Sequence, residues 1–214
     1  MEQRILKHVD NLIDRYPNLK ECREDIIRVY EILEESYSLG CKLLVSGNGG
    51  SASDSEHIVG ELMKEFRLKR KVYSGQVEAM KKIDSEMGAT LAENLQGALP
   101  AICLTGHSSL TTAFMNDANA DLVFAQQVNG YGKENDVFLG ISTSGNSKNI
   151  IYAAITAKAK GLKVVGLTGL RKSKLSALAD CCIRVPETET YKIQELHLPV
   201  YHCLCLMLED KFFG

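Results

Sequence analysis

Five short apolar runs occupy most of the chain after residue 40, and each is followed by a Gly- or Ser-rich turn and then by helical spacing. Runs of this length are typical of buried strands, and strands alternating with helices favour a parallel sheet with helices on both faces. The runs are residues 42–46, 101–105, 137–141, 163–168 and 182–185. The pattern therefore predicts an α/β fold, a three-layer αβα sandwich around a five-stranded parallel sheet, with ligands bound at the carboxyl ends of the strands.

The segments at both ends of the chain have helical spacing instead. Residues 1–40 predict a pair of helices that is broken near Pro17 and Asn18. Residues 191–212 are apolar around much of a helix, which predicts a long buried helix and suggests packing between subunits. Pro199 lies inside this last helix and is expected to kink it unless its surroundings compensate. Because no repeat, low-complexity tract or linker interrupts the pattern, residues 1–214 are expected to form a single domain.

Composition narrows the classes of partner. The 214 residues are 45% hydrophobic with a formal net charge of -2, and basic residues are scattered. The one basic cluster, Arg67 with Lys69, Arg70 and Lys71, is expected to be a solvated loop, so we expect no nucleic-acid partner. Seven cysteines without a Cys-x-x-Cys pair fit a reducing cytosol. The N-terminus lacks the apolar core of a signal peptide, which predicts a cytoplasmic protein without membrane contact.

The turn at residues 140–147, between the third run and the following helix, is rich in hydroxyl groups. They belong to Ser142, Thr143, Ser144 and Ser147. A helix N-terminus presents unpaired N–H groups and a partial positive charge, so phosphate groups bind well there, and Gly145 permits a close backbone approach. One serine could simply cap the helix, but a cap needs a single oxygen. The number of hydroxyls therefore favours a phosphate-binding turn.

A second turn of the same kind follows the first run. It contains Asn48, Gly49, Gly50 and Ser51, again between a strand and a helix. A single Gly-rich turn is weak evidence, because it can be no more than a tight connection. Two such turns at the ends of two strands are typical of a site for a phosphorylated polyol.

Two pairs of polar side chains are candidates for acid–base or metal chemistry. His57 and Glu61 are spaced i and i+4, so they share one helix face, although such a pair alone is more typical of a surface without a role. Gln194 and His202 in the last helix lie within about 80° of each other around the axis and about 12 Å apart along it. Joint binding of one ion would therefore need both side chains to reach toward each other.

Taken together, these features resemble a sugar isomerase (SIS) domain and, within that superfamily, the phosphoheptose isomerases. The resemblance covers most of the chain. It is carried by residues 47–51, His57 with Glu61, Asn116 with Asp117, residues 140–147, residues 167–169, and the segment from Ile193 through His197 to His202. It implies a flavodoxin-like fold and a homotetramer with active sites at subunit interfaces. It also implies isomerisation of sedoheptulose 7-phosphate to D-glycero-D-manno-heptose 7-phosphate through an enediol, for heptose and cell-envelope carbohydrate biosynthesis.

The resemblance also implies roles for individual residues. Phosphate would be held by Ser142, Thr143, Ser144 and Ser147. The sugar would be contacted by Asn48, Gly49, Gly50, Ser51, Glu61, Asn116, Asp117 and Gln194. One zinc ion per subunit would be bound by His57, Glu61, Gln194 and His202, with no organic cofactor. Glu61 would be the catalytic base and His202 the catalytic acid, since moving a carbonyl between two carbons requires one group for the carbon-bound proton and another for the oxygen protons.

Two features depart from the pattern of this family. Residues 72–98 lengthen the connection after Glu61 and have helical spacing, which predicts a helical insertion able to influence substrate choice. Pro199 interrupts a helix that is usually unbroken. Two alternative functions stay open at this point: an isomerase of another ketose or aldose phosphate, and a non-catalytic phosphosugar-binding regulator. The presence of both Glu61 and His202 argues against the regulator.

Overall fold

The computed structural model describes residues 2–214 and contains one five-stranded sheet between two layers of helices. The strands are β1 (Leu43–Ser46), β2 (Ala101–Cys103), β3 (Val137–Ile141), β4 (Lys163–Gly169) and β5 (Cys181–Val185). They are all parallel and lie in the order β2-β1-β3-β4-β5. This is the doubly wound, flavodoxin-like order, so the predicted αβα sandwich is confirmed.

Ten helices lie within the described residues. They are α1 (Gln3–Arg15), α2 (Arg23–Ser38), α3 (Gly50–Met63), α4 (Ser74–Ile83), α5 (Ser85–Asn94), α6 (Ser108–Asp117), α7 (Val123–Tyr131), α8 (Lys148–Ala159), α9 (Lys174–Leu178) and α10 (Thr190–Phe213). Short 3₁₀ helices, Pro17–Cys22 and Ala120–Leu122, precede α2 and α7. The first of them begins at Pro17, where the N-terminal helical pair was expected to break.

Alternation along the strands divides the core between the two faces of the sheet. Leu43 and Val45 of β1 pack into a cluster with α1, α2, α3 and α10, whereas Leu44 packs on the opposite face with α7 and α8. All four residues of β1 are buried, because helices cover both faces of the sheet. This double burial explains why the strands are continuous apolar runs in the sequence.

The last helix, α10, continues through Pro199 without ending. It contacts α1, α2 and α3 of the same chain, and these contacts account for most of its apolar circumference. Leu198 is an exception, with 41% of its surface exposed. The chain's own helices therefore cover most of the surface that suggested subunit packing, and packing between subunits stays a prediction.

Residues 72–98, predicted to be helical, form a hairpin of two helices, α4 and α5. The break comes at Asp84, whose carboxylate accepts N–H groups of Glu86 and Met87 and thereby caps α5. Lys71 and Gln96 pair as an antiparallel bridge at its base. The hairpin leaves several large apolar side chains exposed, namely Tyr73, Ile83, Met87, Leu91 and Leu95. That this hairpin is an insertion relative to the family that the sequence resembles stays a prediction.

No helix of residues 2–214 combines the length and the apolar character needed to cross a membrane.

Candidate active site

The hydroxyl-rich turn lies at the carboxyl end of β3 and leads into α8. Ser142 Oγ lies 3.0 Å from Ser147 Oγ and accepts the N–H of Gly145, which has a positive φ of 64°. The N–H groups of Thr143, Ser144 and Ser147 donate to no other atom of residues 2–214. A positive φ favours glycine, and the turn it allows leaves these donors free at the start of a helix, as an anion site requires.

The second turn is joined to the first by a side-chain pair. The amides of Asn48 and Asn149 exchange two hydrogen bonds, of 3.0 and 2.8 Å. Asn149 was not among the residues selected from the sequence, although its position in the first turn of α8 and its ability both to donate and to accept could have indicated it. This pair holds the two turns side by side at one edge of the sheet.

Gly50, the first residue of α3, is in contact with Gln194 of α10. A Cβ atom at position 50 would lie 2.6 Å from Gln194 Nε2, so a larger residue would displace that side chain. Ser51 is buried, and its carbonyl accepts the hydroxyl of Ser55. The small residues of this turn therefore make room for Gln194 at the N-terminus of α3.

His57, Glu61 and His202 meet further along the same two helices. His57 Nε2 lies 3.2 Å from Glu61 Oε1 and 3.4 Å from His202 Nε2. Their burial differs, since the His57 side chain is 42% exposed and that of Glu61 only 12%. Glu61 Oε2 is buried and has no hydrogen-bond partner, although Lys64 Nζ lies 3.6 Å from it. One carboxylate and two imidazoles thus converge, with one carboxylate oxygen available to a reactant.

These contacts show that α3 and α10 run in the same direction in register. Gln194 contacts Gly50, and eight residues later His202 meets His57, which lies seven residues after Gly50. The corresponding rises along the two helices are about 12 Å and about 10 Å. Three of the four predicted zinc ligands are therefore close together, while Gln194 lies against Gly50.

The charge state of His202 is influenced by its surroundings. Burial of its ring, followed by the neighbouring His57, lowers the pKa of His202 below its ordinary value of 6.5. Glu61 opposes this shift but does not reverse it. His202 is therefore held neutral at neutral pH, a state in which an imidazole can both accept and donate a proton.

The loop after α3 is attached to both helices by a buried ion pair. Arg70, expected in a solvated loop, is instead 1% exposed, and its Nε donates to Glu209 Oε1 at 2.8 Å. Its remaining donors bind the carbonyls of Leu62 and Glu61, at 2.7 and 2.8 Å. The expectation for Arg70 was wrong, because a cluster of basic residues along the sequence does not reveal that one of them faces inward.

The chain is similar to known proteins of one family. The SIS domain family model matches residues 79–169. A phosphoheptose isomerase of Aneurinibacillus thermoaerophilus is 36% identical over an alignment that covers 100% of this chain and 96% of the relative. The chain belongs to the phosphoheptose isomerase family.

Solved structures of the phosphoheptose isomerase family share this fold over nearly the whole chain. The phosphoheptose isomerase of Neisseria gonorrhoeae has a TM-score of 0.73 at 30% identity and covers 97% of this chain and 98% of its own. The one from Francisella tularensis has a TM-score of 0.75 at 28% identity, with 97% coverage of both chains. The family's αβα core is therefore present here in full.

Two site residues expected from the phosphoheptose isomerase family lie apart from the others. Asn116 and Asp117 end α6, are exposed, and bond to each other at 2.8 Å. Neither bonds to a residue of the two turns, so their contact with the sugar stays a prediction.

Among residues 2–214, no group of three or more His, Cys, Asp or Glu side chains is arranged to hold a metal ion.

Proposed function

We propose that this chain is an aldose–ketose isomerase that converts sedoheptulose 7-phosphate into D-glycero-D-manno-heptose 7-phosphate for heptose biosynthesis. The observation that carries the proposal is the meeting of the Glu61 carboxylate with the two imidazoles of His57 and His202. Relatives aligned over the full chain bear the name phosphoheptose isomerase. Acid–base groups of this kind distinguish an isomerase from a protein that only binds phosphosugars.

The reaction moves two protons and needs no oxidant. Glu61 Oε2, which has no protein partner, takes the proton from C1 of the ketose and returns it to C2. The neutral imidazole of His202 takes the proton of the C1 hydroxyl and delivers a proton to the oxygen on C2. The intermediate is an enediol, whose developing negative charge requires electrostatic stabilisation. The free N–H groups of the 142–147 turn hold the phosphate while this occurs.

We extend the proposal to one zinc ion bound by His57, Glu61, Gln194 and His202. The four side chains do not form a ready metal site as they lie, and Gln194 would have to turn from Gly50 toward the other three. The two imidazoles and the carboxylate are donors of the types that zinc prefers, and their separations of 3.2 and 3.4 Å are close to the roughly 3.3 Å between neighbouring ligands of tetrahedral zinc. Glu61 Oε1 lies beside His57 Nε2 and would bind the cation, which leaves Oε2 available to the substrate. When bound, zinc would polarise the carbonyl of the substrate.

Replacement of His57 by Ala is expected to lower the zinc content of the purified protein, because the central ligand is lost. His107→Ala is the control, since His107 contacts Tyr131 and no residue of this cluster. Metal content is measured by elemental analysis after purification without added chelator. Wild-type protein without zinc, or His57→Ala with unchanged zinc, would remove zinc from the proposal.

We also propose a homotetramer with active sites at subunit interfaces. It is supported by an open groove of about 620 Å³ beside His202, lined by Arg15, Arg67 and the exposed Leu198 among others. Because His202 lines this open groove, a second copy seated in it would lie beside the proposed catalytic residues. Light scattering of the full chain is expected to give the mass of four copies, and the mass of one copy would overturn the proposed homotetramer.

An isomerisation assay with a panel of ketose phosphates of five to seven carbons tests the function. Sedoheptulose 7-phosphate is expected to give the highest kcat/KM, because relatives that align with the full chain are named phosphoheptose isomerase. Preference for a shorter ketose phosphate would favour the alternative of a different sugar-phosphate isomerase. Binding of the panel without turnover of any member would favour a phosphosugar-binding regulator.

A further inference from the structure

A hydrogen-bonded chain lies behind His57, on the side away from Glu61. The hydroxyl of Tyr201 lies 3.0 Å from His57 Nδ1 and 3.2 Å from Asp54 Oδ1. Asp54 and His57 are three residues apart on α3, so both face α10, where Tyr201 immediately precedes His202. Tyr201 is only 1% exposed, so its hydroxyl has these two partners in place of water.

The chemistry of the three groups fixes the direction of each hydrogen bond. A carboxylate can only accept, and a phenol has one proton to donate. Tyr201 therefore donates to Asp54, as the contact is oriented in the structure. The oxygen of Tyr201 then faces His57 Nδ1 with a lone pair, and this contact is a hydrogen bond only if Nδ1 carries a proton.

We propose that Asp54 and Tyr201 are positioning residues that hold the proton of neutral His57 on Nδ1 and leave Nε2 as an electron-pair donor. Nε2 then faces Glu61 Oε1 and His202 Nε2 at 3.2 and 3.4 Å. Its lone pair can accept a proton held on His202 Nε2, or it can bind a cation placed among the three atoms. The relevance of the inference to zinc rests on the proposed function, whereas the position of the proton does not.

The two imidazoles would then have separate roles. With its Nδ1 proton directed to Tyr201, His57 offers Nε2 to the cation, and a bound cation would leave proton exchange with the sugar to Glu61 and His202. Histidine ligands of metals usually donate their other N–H to a carboxylate or similar partner, which sets the tautomer and the ring orientation. Here the carboxylate acts through an intervening phenol.

Nitrogen-15 NMR of the full chain, treated with a chelator and held at a pH where His57 is neutral, reads the tautomer directly. Wild-type His57 is expected to show the Nδ1–H form. Tyr201→Phe removes the hydroxyl and keeps the ring, and Asp54→Ala frees the hydroxyl to donate to Nδ1. Both variants are expected to shift His57 toward the Nε2–H form. Both are also expected to weaken zinc binding by about 10–100-fold, as measured by titration with zinc alone.

Tyr131→Phe is the matched control, because Tyr131 lies beside the ring of His107, with centroids 5.5 Å apart, and is remote from the cluster. It is expected to change neither readout. Because Asp54 is partly exposed, Asp54→Ala is expected to fold, and its His57 tautomer tests the inference even if Tyr201→Phe does not fold. An Nε2–H form in the wild type, or an unchanged tautomer in Asp54→Ala, would overturn the inference. Absence of isomerase activity would overturn the proposed function and leave the NMR result standing.

Discussion

Replacing Glu61 with Gln is expected to lower kcat by about 10²–10⁴-fold, the range typical of removing a general base. The amide keeps the size of the side chain but cannot take a proton from carbon. The unpartnered Oε2 and the 12% exposure of the side chain indicate a carboxylate reserved for a reactant. KM is expected to change little, because we propose that the turn at 142–147, and not Glu61, holds the phosphate.

Steady-state kinetics with sedoheptulose 7-phosphate measures this effect, with Glu56→Gln as the control. Glu56 lies on the same helix and is exposed, and its carboxylate accepts only the Thr105 hydroxyl, at 3.3 Å. The same loss of charge there is expected to leave kcat within about twofold, since exposed polar contacts contribute little. Unchanged kcat in Glu61→Gln would exclude Glu61 as the base.

The second large effect is expected in stability. Arg70→Met should lower the free energy of unfolding by about 3–5 kcal/mol, because it leaves Glu209 buried without its cation. Both side chains are at most 1% exposed. The variant also removes the donors to the carbonyls of Glu61 and Leu62 at the end of α3. Since Glu61 belongs to that last turn, part of the loss is expected to appear as reduced kcat.

Urea unfolding compares Arg70→Met with Arg28→Met, which breaks an ion pair whose partners are 63% and 46% exposed. The exposed variant is expected to lose less than about 1 kcal/mol. The double variant Arg70→Met with Glu209→Met should lose less than the sum of the single losses, because it leaves no unpaired charge. Equal losses for Arg70→Met and Arg28→Met would contradict the assigned role.

The Arg70–Glu209 ion pair is also expected to make the stability of the protein depend on pH in the acid range. Burial by itself raises the pKa of Glu209, but the N–H of Phe66, the guanidinium of Arg70 and the N–H of Arg67 together lower it below 4.5. A lowered pKa in the folded state stabilises the protein above the unfolded value, and this stabilisation is lost as pH falls through the folded value. Stability of the wild type should therefore fall more steeply below about pH 5 than that of Glu209→Gln.

The strands and the two polar turns at residues 47–51 and 140–147 were predictable because each is a local pattern. Buried parallel strands are continuous apolar runs, and all five observed strands lie within one residue of a predicted run at their N-termini. The helical spacing of residues 72–98 predicted helix there but not the division into α4 and α5. Asp84 followed by Ser85 and Glu86 is a helix-start signal that could have revealed the break.

The sequence alone determined the fold class, the position of the hydroxyl-rich turn and the pairing of His57 with Glu61, because these depend on neighbours within a few residues. Only the tertiary structure decided that α3 and α10 run in the same direction. That register brings His202 to His57 across 145 positions, holds Gln194 at Gly50, and places Tyr201 between Asp54 and His57. Periodicity specifies which face of a helix is buried, but not which turn of another helix it meets, because that depends on the packing of the whole core.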